Sequence, residues 1–214
     1  MKFFLVCLAV LPSLVTSVNE VYRARAYIFK AAKTGNPSEI IGVIDFEQSG
    51  VFLKVNGSVS GLPDGPHGFH IHEKGDIANG CLAAGPHYNP HRLTHGGPDD
   101  SNRHVGDLGN VISANGTAKI VISDTLASLT GNYSVVGRGL VIHEKADDLG
   151  RGTSDVSKTT GDAGSRLACG VLDERPIIPT TPGIRPAATK STISVSSRWD
   201  PTPAIVFSLI CLFV

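Results

Sequence analysis

Between Val18 and Glu174 the chain is built of short segments that alternate or run apolar, and none carries the 3.6-residue apolar spacing of an amphipathic helix. That pattern excludes a helical bundle. Val21 to Lys30, Ile40 to Gln48 and Val51 to Ser60 are rich in β-branched and aromatic residues and are broken by Gly-Asn-Pro and Ser-Gly turns. Further strands are expected at His67 to Glu73, around Ile112, and at Thr117 to Ser123, Leu140 to Lys145 and Leu167 to Leu172. Eight short strands predict an antiparallel sandwich or flattened barrel. Two stretches interrupt the rhythm, Glu73 to Asp107 and Asp147 to Ser165, both Gly-rich and polar. Loops this long in a compact domain usually carry function.

The ends differ in kind from this middle. Lys2 followed by an apolar run, Phe3 to Val15, and small residues at Val15 and Ser17 read as a secretory signal over residues 1–17. The alternative, an N-terminal membrane anchor, is disfavoured because the run falls short of the ~20 apolar residues a spanning helix needs. Residues 175–203 shift to Pro, Ser and Thr, a composition that cannot bury a core and reads as a disordered stalk. Residues 204–214 form an apolar tail too short to span a bilayer as a helix. Small serines and a polar spacer precede it, so it reads either as a GPI-anchor signal or as a plain hydrophobic terminus of a secreted protein.

Of the 19 basic and 19 acidic residues, Lys2, Arg175, Arg185, Lys190, Arg198 and Asp200 lie in these ends, which leaves 14 and 18 in the middle and a net of −4. A nucleic-acid-binding protein would carry a basic excess. With Cys7 in the leader and Cys211 in the tail, the middle holds only Cys81 and Cys169, and an even pair in a secreted chain implies one disulfide. Closing a loop of about 88 residues, it contributes on the order of 4 kcal/mol by chain entropy. Three sequons, at Asn56, Asn115 and Asn132, suit the same compartment.

All eight histidines lie between positions 67 and 143. On a strand, residues i and i+2 share a face, so His70-Ile71-His72 presents two imidazoles side by side and turns Ile71 into the core. The first long loop adds His87, His95 and His104, then Asp107; His143 returns on a later strand. Imidazole suits zinc and copper, and a mixed imidazole and carboxylate set suits zinc. Six histidines and an aspartate in one mildly acidic domain point to a metal site.

Gly68-Phe69-His70-Ile71-His72, Gly85-Pro86-His87, His95-Gly96-Gly97-Pro98, Arg103-His104-Val105-Gly106-Asp107-Leu108-Gly109-Asn110, His143-Glu144-Lys145 and Gly164-Ser165-Arg166-Leu167-Ala168-Cys169-Gly170 closely resemble the copper/zinc superoxide dismutases, over Val21 to Leu172. The resemblance implies an all-β, eight-stranded antiparallel Greek-key sandwich or flattened barrel with two long functional loops. It implies copper on His70, His72, His87 and His143, and zinc on His87, His95, His104 and Asp107, one ion of each per subunit, with His87 shared. Asp147 matches a carboxylate that ties His70 to His95. Cys81 and Cys169 match the family disulfide, Arg166 the guanidinium that orients the anion beside copper, and Thr160 the residue narrowing the channel opposite. The implied reaction is disproportionation of superoxide to oxygen and hydrogen peroxide, with His87 as the proton carrier. His67 and His91 are left over and are read as structural.

The sequence departs from the family in two places. The second loop usually carries two acidic residues and a lysine three positions after the second. Here Val156 follows Asp155 in place of the second acid, Lys158 comes one place early and Thr159 takes its position, so weaker steering of the anion is expected. Lys74 replaces an aromatic residue, and Asp173-Glu174 replaces Gly-Ile, where relatives form an apolar dimer seam, so homodimer and monomer both stay open. A non-catalytic binding protein on this scaffold would have lost a ligand or Arg166, and a copper-delivery protein would carry a further Cys-x-x-Cys-type module; the sequence shows neither.

Overall fold

The structure, a computed structural model, describes residues 21–32 and 35–175. The expected leader, nearly all of the 175–203 stalk and the 204–214 tail lie outside the described residues. Eight strands follow in order: β1 (Val21–Lys30), β2 (Ile40–Ser49), β3 (Phe52–Ser60), β4 (Gly65–His72), β5 (Asp107–Ala114), β6 (Thr117–Asp124), β7 (Gly139–His143) and β8 (Arg166–Arg175). They close into one antiparallel barrel in the spatial order β1-β2-β3-β6-β5-β4-β7-β8. Of the two architectures the sequence left open, it is the barrel. The chain passes over β6 and β5 to reach β4, and later over β5 and β4 to reach β7, the crossings of a Greek key.

Alternation fixes which face is inside. In β3, Leu53, Val55 and Val59 are buried while Phe52, Lys54, Asn56 and Ser58 are exposed. Opposite Val55 on β2 lies Phe46, and opposite Ile44 on β1 lies Ala26, so inward residues meet inward residues across each ladder. Phe46, Phe69, Ile28, Ile44, Leu53, Ile71, Ile120, Leu140, Ile142 and Leu172 are essentially inaccessible, each side chain worth about 1.5–3 kcal/mol of burial. The β5–β6 hairpin turns on Asn115 and Gly116, both with positive φ (52° and 72°), a conformation that Asn and Gly adopt at least cost.

The strands run within a few residues of their expected bounds, with three differences. β5 begins at Asp107, so this carboxylate opens a strand and does not end the loop. β8 continues to Arg175, paired with Arg23. The second long loop contains a helix, α1 (Asp155–Thr160), where none was expected. Six residues are too few to display an amphipathic period; the signal was its caps, Ser154 accepting from the Ser157 N–H and Gly161 in the left-handed conformation. The two loops cover the outward faces of His70 and His72, which is why residues pointing away from the core are nonetheless buried.

Candidate metal centre

His70 and His72 leave β4 on one face, their ring centroids 6.5 Å apart, while Ile71 between them enters the core. His143, at the end of β7, stacks on His72 at 5.4 Å, and His87 lies 4.1 Å from His70. Two clusters result, each with ligand-type atoms within 4.8 Å of one another: His70, His72, His87 and His143, and His87, His95, His104 and Asp107. All seven residues are buried. The sequence-predicted sets are therefore brought together, and His87 belongs to both.

Every ring of the clusters except His87 spends one nitrogen on an anchor and leaves the other facing the cluster. His72 Nδ1 donates to the Gly85 carbonyl (2.8 Å), His143 Nδ1 to that of Gly164 (3.1 Å) and His104 Nε2 to that of Leu93 (3.1 Å). His70 and His95 donate from Nε2 to the two oxygens of Asp147 (2.9 and 2.8 Å), so Asp147 ties one cluster to the other. These anchors fix the tautomers. On the other side, His87, His95 and His104 aim Nδ1 at Asp107 Oδ1 (2.9, 3.0 and 3.1 Å).

What remains unpaired describes the missing partner. His70 Nδ1 and His87 Nε2 are buried without a hydrogen bond, and His72 Nε2 and His143 Nε2 face each other at 3.3 Å as two lone pairs once their anchors are made. Orphaned buried nitrogens are costly, and opposed lone pairs repel. A cation among them removes both penalties. The donor chemistry agrees: four imidazoles on one side, and three imidazoles with a carboxylate on the other.

The model of the copper/zinc superoxide dismutase family matches residues 40–172. The chain belongs to that family. It is 58% identical over 217 residues to the extracellular copper–zinc superoxide dismutase of Caenorhabditis elegans, covering 98% of both chains. The extracellular copper–zinc superoxide dismutase of Haemonchus contortus is 62% identical over 159 residues, 74% of this chain and 87% of the relative. A copper–zinc superoxide dismutase of Xenopus laevis is 53% identical over 135 residues, 63% of this chain and 89% of the relative. This superoxide dismutase disproportionates superoxide, with copper and zinc as cofactors.

Its protonation pattern separates the two clusters. Burial, followed by the charge of neighbouring His87, holds His70 and His72 well below the ordinary imidazole value. His143 is pushed down to about 4, by burial and by the charges of His87 and Arg166 against the opposing Gly164 carbonyl. Burial also lowers His87, with Asp107 opposing. His95 goes the other way: burial pulls it down, but hydrogen bonds to Asp107 and Asp147 prevail and raise it to about 9. Burial would raise Asp107, yet hydrogen bonds from His104, His87 and His95 hold it far below the usual carboxylate range.

Arg166 opens β8 directly across from His143. Its guanidinium is half-buried, which lowers its pKa, and donates to the carbonyls of Cys81 and Gly85 at 2.5 Å each. Cys81 is disulfide-bonded to Cys169, and the Gly85 carbonyl also holds His72. The disulfide thus fixes the loop segment that positions both the dismutase's arginine and one of its histidines. Thr160 ends α1 and returns its hydroxyl to the Val156 carbonyl. Next to it, Gly161 (φ 65°) admits no side chain: a Cβ there would overlap Asp147 Oδ1 and His95 Nε2. His67 lies between the carbonyls of Pro63 and His143, and exposed His91 packs on Tyr133, both outside the clusters.

Sequence reasoning passed over three residues. Buried Arg103 donates to the Asp107 carbonyl (2.9 Å) and forms a buried ion pair with Asp124, tying the cluster to the end of β6. Asn110 pairs its side-chain amide with the backbone of Asp147 in both directions (2.8 and 2.9 Å). Arg103 and Asn110 stand inside the quoted motif but have no ligand chemistry, and Asp124 sits beyond it in β6. Nothing in the sequence alone pairs any of the three with its partner.

Proposed function

We propose that His70, His72, His87 and His143 hold copper, that His87, His95, His104 and Asp107 hold zinc, and that Asp147 orients both sets through His70 and His95. The observation that carries this assignment is His87: one nitrogen meets Asp107 at 2.9 Å and the other is buried, unpaired, in the opposite cluster. Bound copper supplies the one-electron acceptor and donor that two superoxide ions require, and zinc, without redox chemistry, supplies fixed charge. Two superoxide anions and two protons give one oxygen and one hydrogen peroxide. His87 Nε2, on a ring whose affinity for a proton burial lowers, is the atom that holds and delivers a proton. Arg166 draws in and orients the anion beside His72 and His143, and Thr160 narrows the approach. The disulfide Cys81–Cys169 keeps Arg166 in place.

The enzyme acts outside the cell. The leader-like residues 1–17 and the names of the two nematode relatives support this. In the same reading 18–174 is the catalytic domain, 175–203 a stalk, and 204–214 a GPI signal, replaced by the lipid that tethers the enzyme to the outer surface. Asn56, Asn115 and Asn132, all exposed, are the glycan acceptors. Lys74, Asp173 and Glu174 are exposed charges where a tight homodimer would bury apolar surface, and they weigh against one.

The test is a metal count and a superoxide-consumption assay on the purified protein and on His143→Ala. One copper and one zinc per chain are expected, with activity reduced about 100-fold or more, beyond the 10–100-fold that loss of an outer partner brings. Activity that survives the substitution would rule out this mechanism.

A further inference from the structure

In the second loop, the lysine that sits one place early does not stand free over the approach to the clusters. Lys158 Nζ donates to the Gly150 carbonyl at 2.5 Å, and the Lys158 backbone carbonyl accepts the His95 N–H at 2.8 Å. Gly150 in turn lies so close to His95 that a Cβ on it would stand 2.6 Å from the His95 carbonyl oxygen. One residue therefore grips His95 directly and grips the segment packed against it. Beside this contact is a small cavity of about 310 Å³, lined in part by His95, Asp100, Gly150, Arg151 and Lys158. Two of its lining residues form a second link between the loops, in which Arg151 binds both oxygens of Asp100 at 2.8 and 2.9 Å and Asp100 accepts the Gly97 N–H at 2.7 Å.

We propose that Lys158 is a positioning residue for His95 and governs how fast the zinc-side ion leaves, not how fast the superoxide anion arrives. The Lys158 ammonium is held by a carbonyl on the His95 side, and that hydrogen bond must break whenever the Gly150 segment swings away from His95. The inference rests on His95 belonging to the zinc set.

Lys158→Met keeps the stem and the backbone carbonyl and removes only the ammonium. Metal-loaded wild type, Lys158→Met and Lys158→Arg are mixed with a chromophoric zinc chelator, and the release rate is followed. Release about 3- to 10-fold faster in Lys158→Met, the net worth of one ordinary intramolecular hydrogen bond, is expected. Lys158→Arg restores a donor and should return the rate toward wild type. The ionic-strength slope of the superoxide reaction should be the same in all three. A shallower slope in Lys158→Met with unchanged zinc release would overturn the proposal and make the lysine a steering charge. The underlying ligand assignment fails differently: His95→Ala retaining a full zinc complement would sink that reading whatever Lys158→Met does.

Discussion

The two halves of the metal centre share His87 and are otherwise built on opposite electrostatic plans. Around His70, His72 and His143 the anchors of two rings are backbone carbonyls and no carboxylate faces the free nitrogens, so burial dominates and the rings stay neutral. Around Asp107 three rings converge on one carboxylate oxygen, and His95 lies between Asp107 and Asp147 with a pKa of about 9. A neutral, protein-fixed donor set suits an ion whose own charge must change. A set with a permanent anion suits an ion whose charge never does.

The contrast can be broken from one side. Arg103 supports only the Asp107 half, through the Asp107 carbonyl and the buried pair with Asp124. Removing one partner of a buried pair leaves the other charge uncompensated, so Arg103→Ala should cost about 3–5 kcal/mol of stability. Chemical denaturation gives that number. Metal titration of the variant should show zinc affinity reduced and copper affinity little changed; equal losses at both ions would mean the halves are not mechanically separate.

Acid should separate them too. His95, raised to about 9, is protonated in the metal-free protein at neutral pH, so an ion bound there must displace a proton, and on the proposed assignment that ion is zinc. Zinc affinity should fall by about tenfold per pH unit below 9, through one proton. His143, lowered to about 4, is already neutral through the same range, so copper meets no such competition until pH nears 4. The stability signs are opposite as well. The raised His95 stabilises the metal-free fold fully below the ordinary imidazole value, and this is lost as pH rises through about 9. The depressed His143 contributes above the ordinary value, and this is lost as pH falls through about 4. Dialysis at stepwise lower pH with metal analysis should show zinc leaving first.

The half nearer the strands was the more legible in sequence. His70 and His72 announce a shared face by their spacing, and the family motifs pointed to Asp147, which lies 2.9 and 2.8 Å from His70 and His95. The Asp107 half depends on contacts between segments far apart in the chain. Arg103 meets Asp124 across 21 positions and Asn110 meets Asp147 across 37, and neither pairing leaves a periodic trace. Helix α1 was missed because its six residues show caps and no period, and the aim of Lys158 depends on a side-chain torsion that sequence spacing does not encode.

The smallest expected effect concerns the approach to both halves. Val156, half-exposed and apolar, stands where a second acid is usual, and the ammonium of Lys158 is engaged with Gly150. Long-range attraction of a small anion is an ionic-strength-dependent rate effect, screened over about 8–10 Å at physiological salt. With one acid fewer in this loop and its lysine one place early, the reaction rate should fall less steeply with added salt than in a relative carrying both acids and the later lysine. Thr159→Lys should steepen it, because position 159 is exposed and its hydroxyl only returns to the helix backbone at Asp155 and Val156. A wild-type slope already as steep as the relative's would mean that Arg166 alone sets the field, and the steering would then belong to the copper half outright.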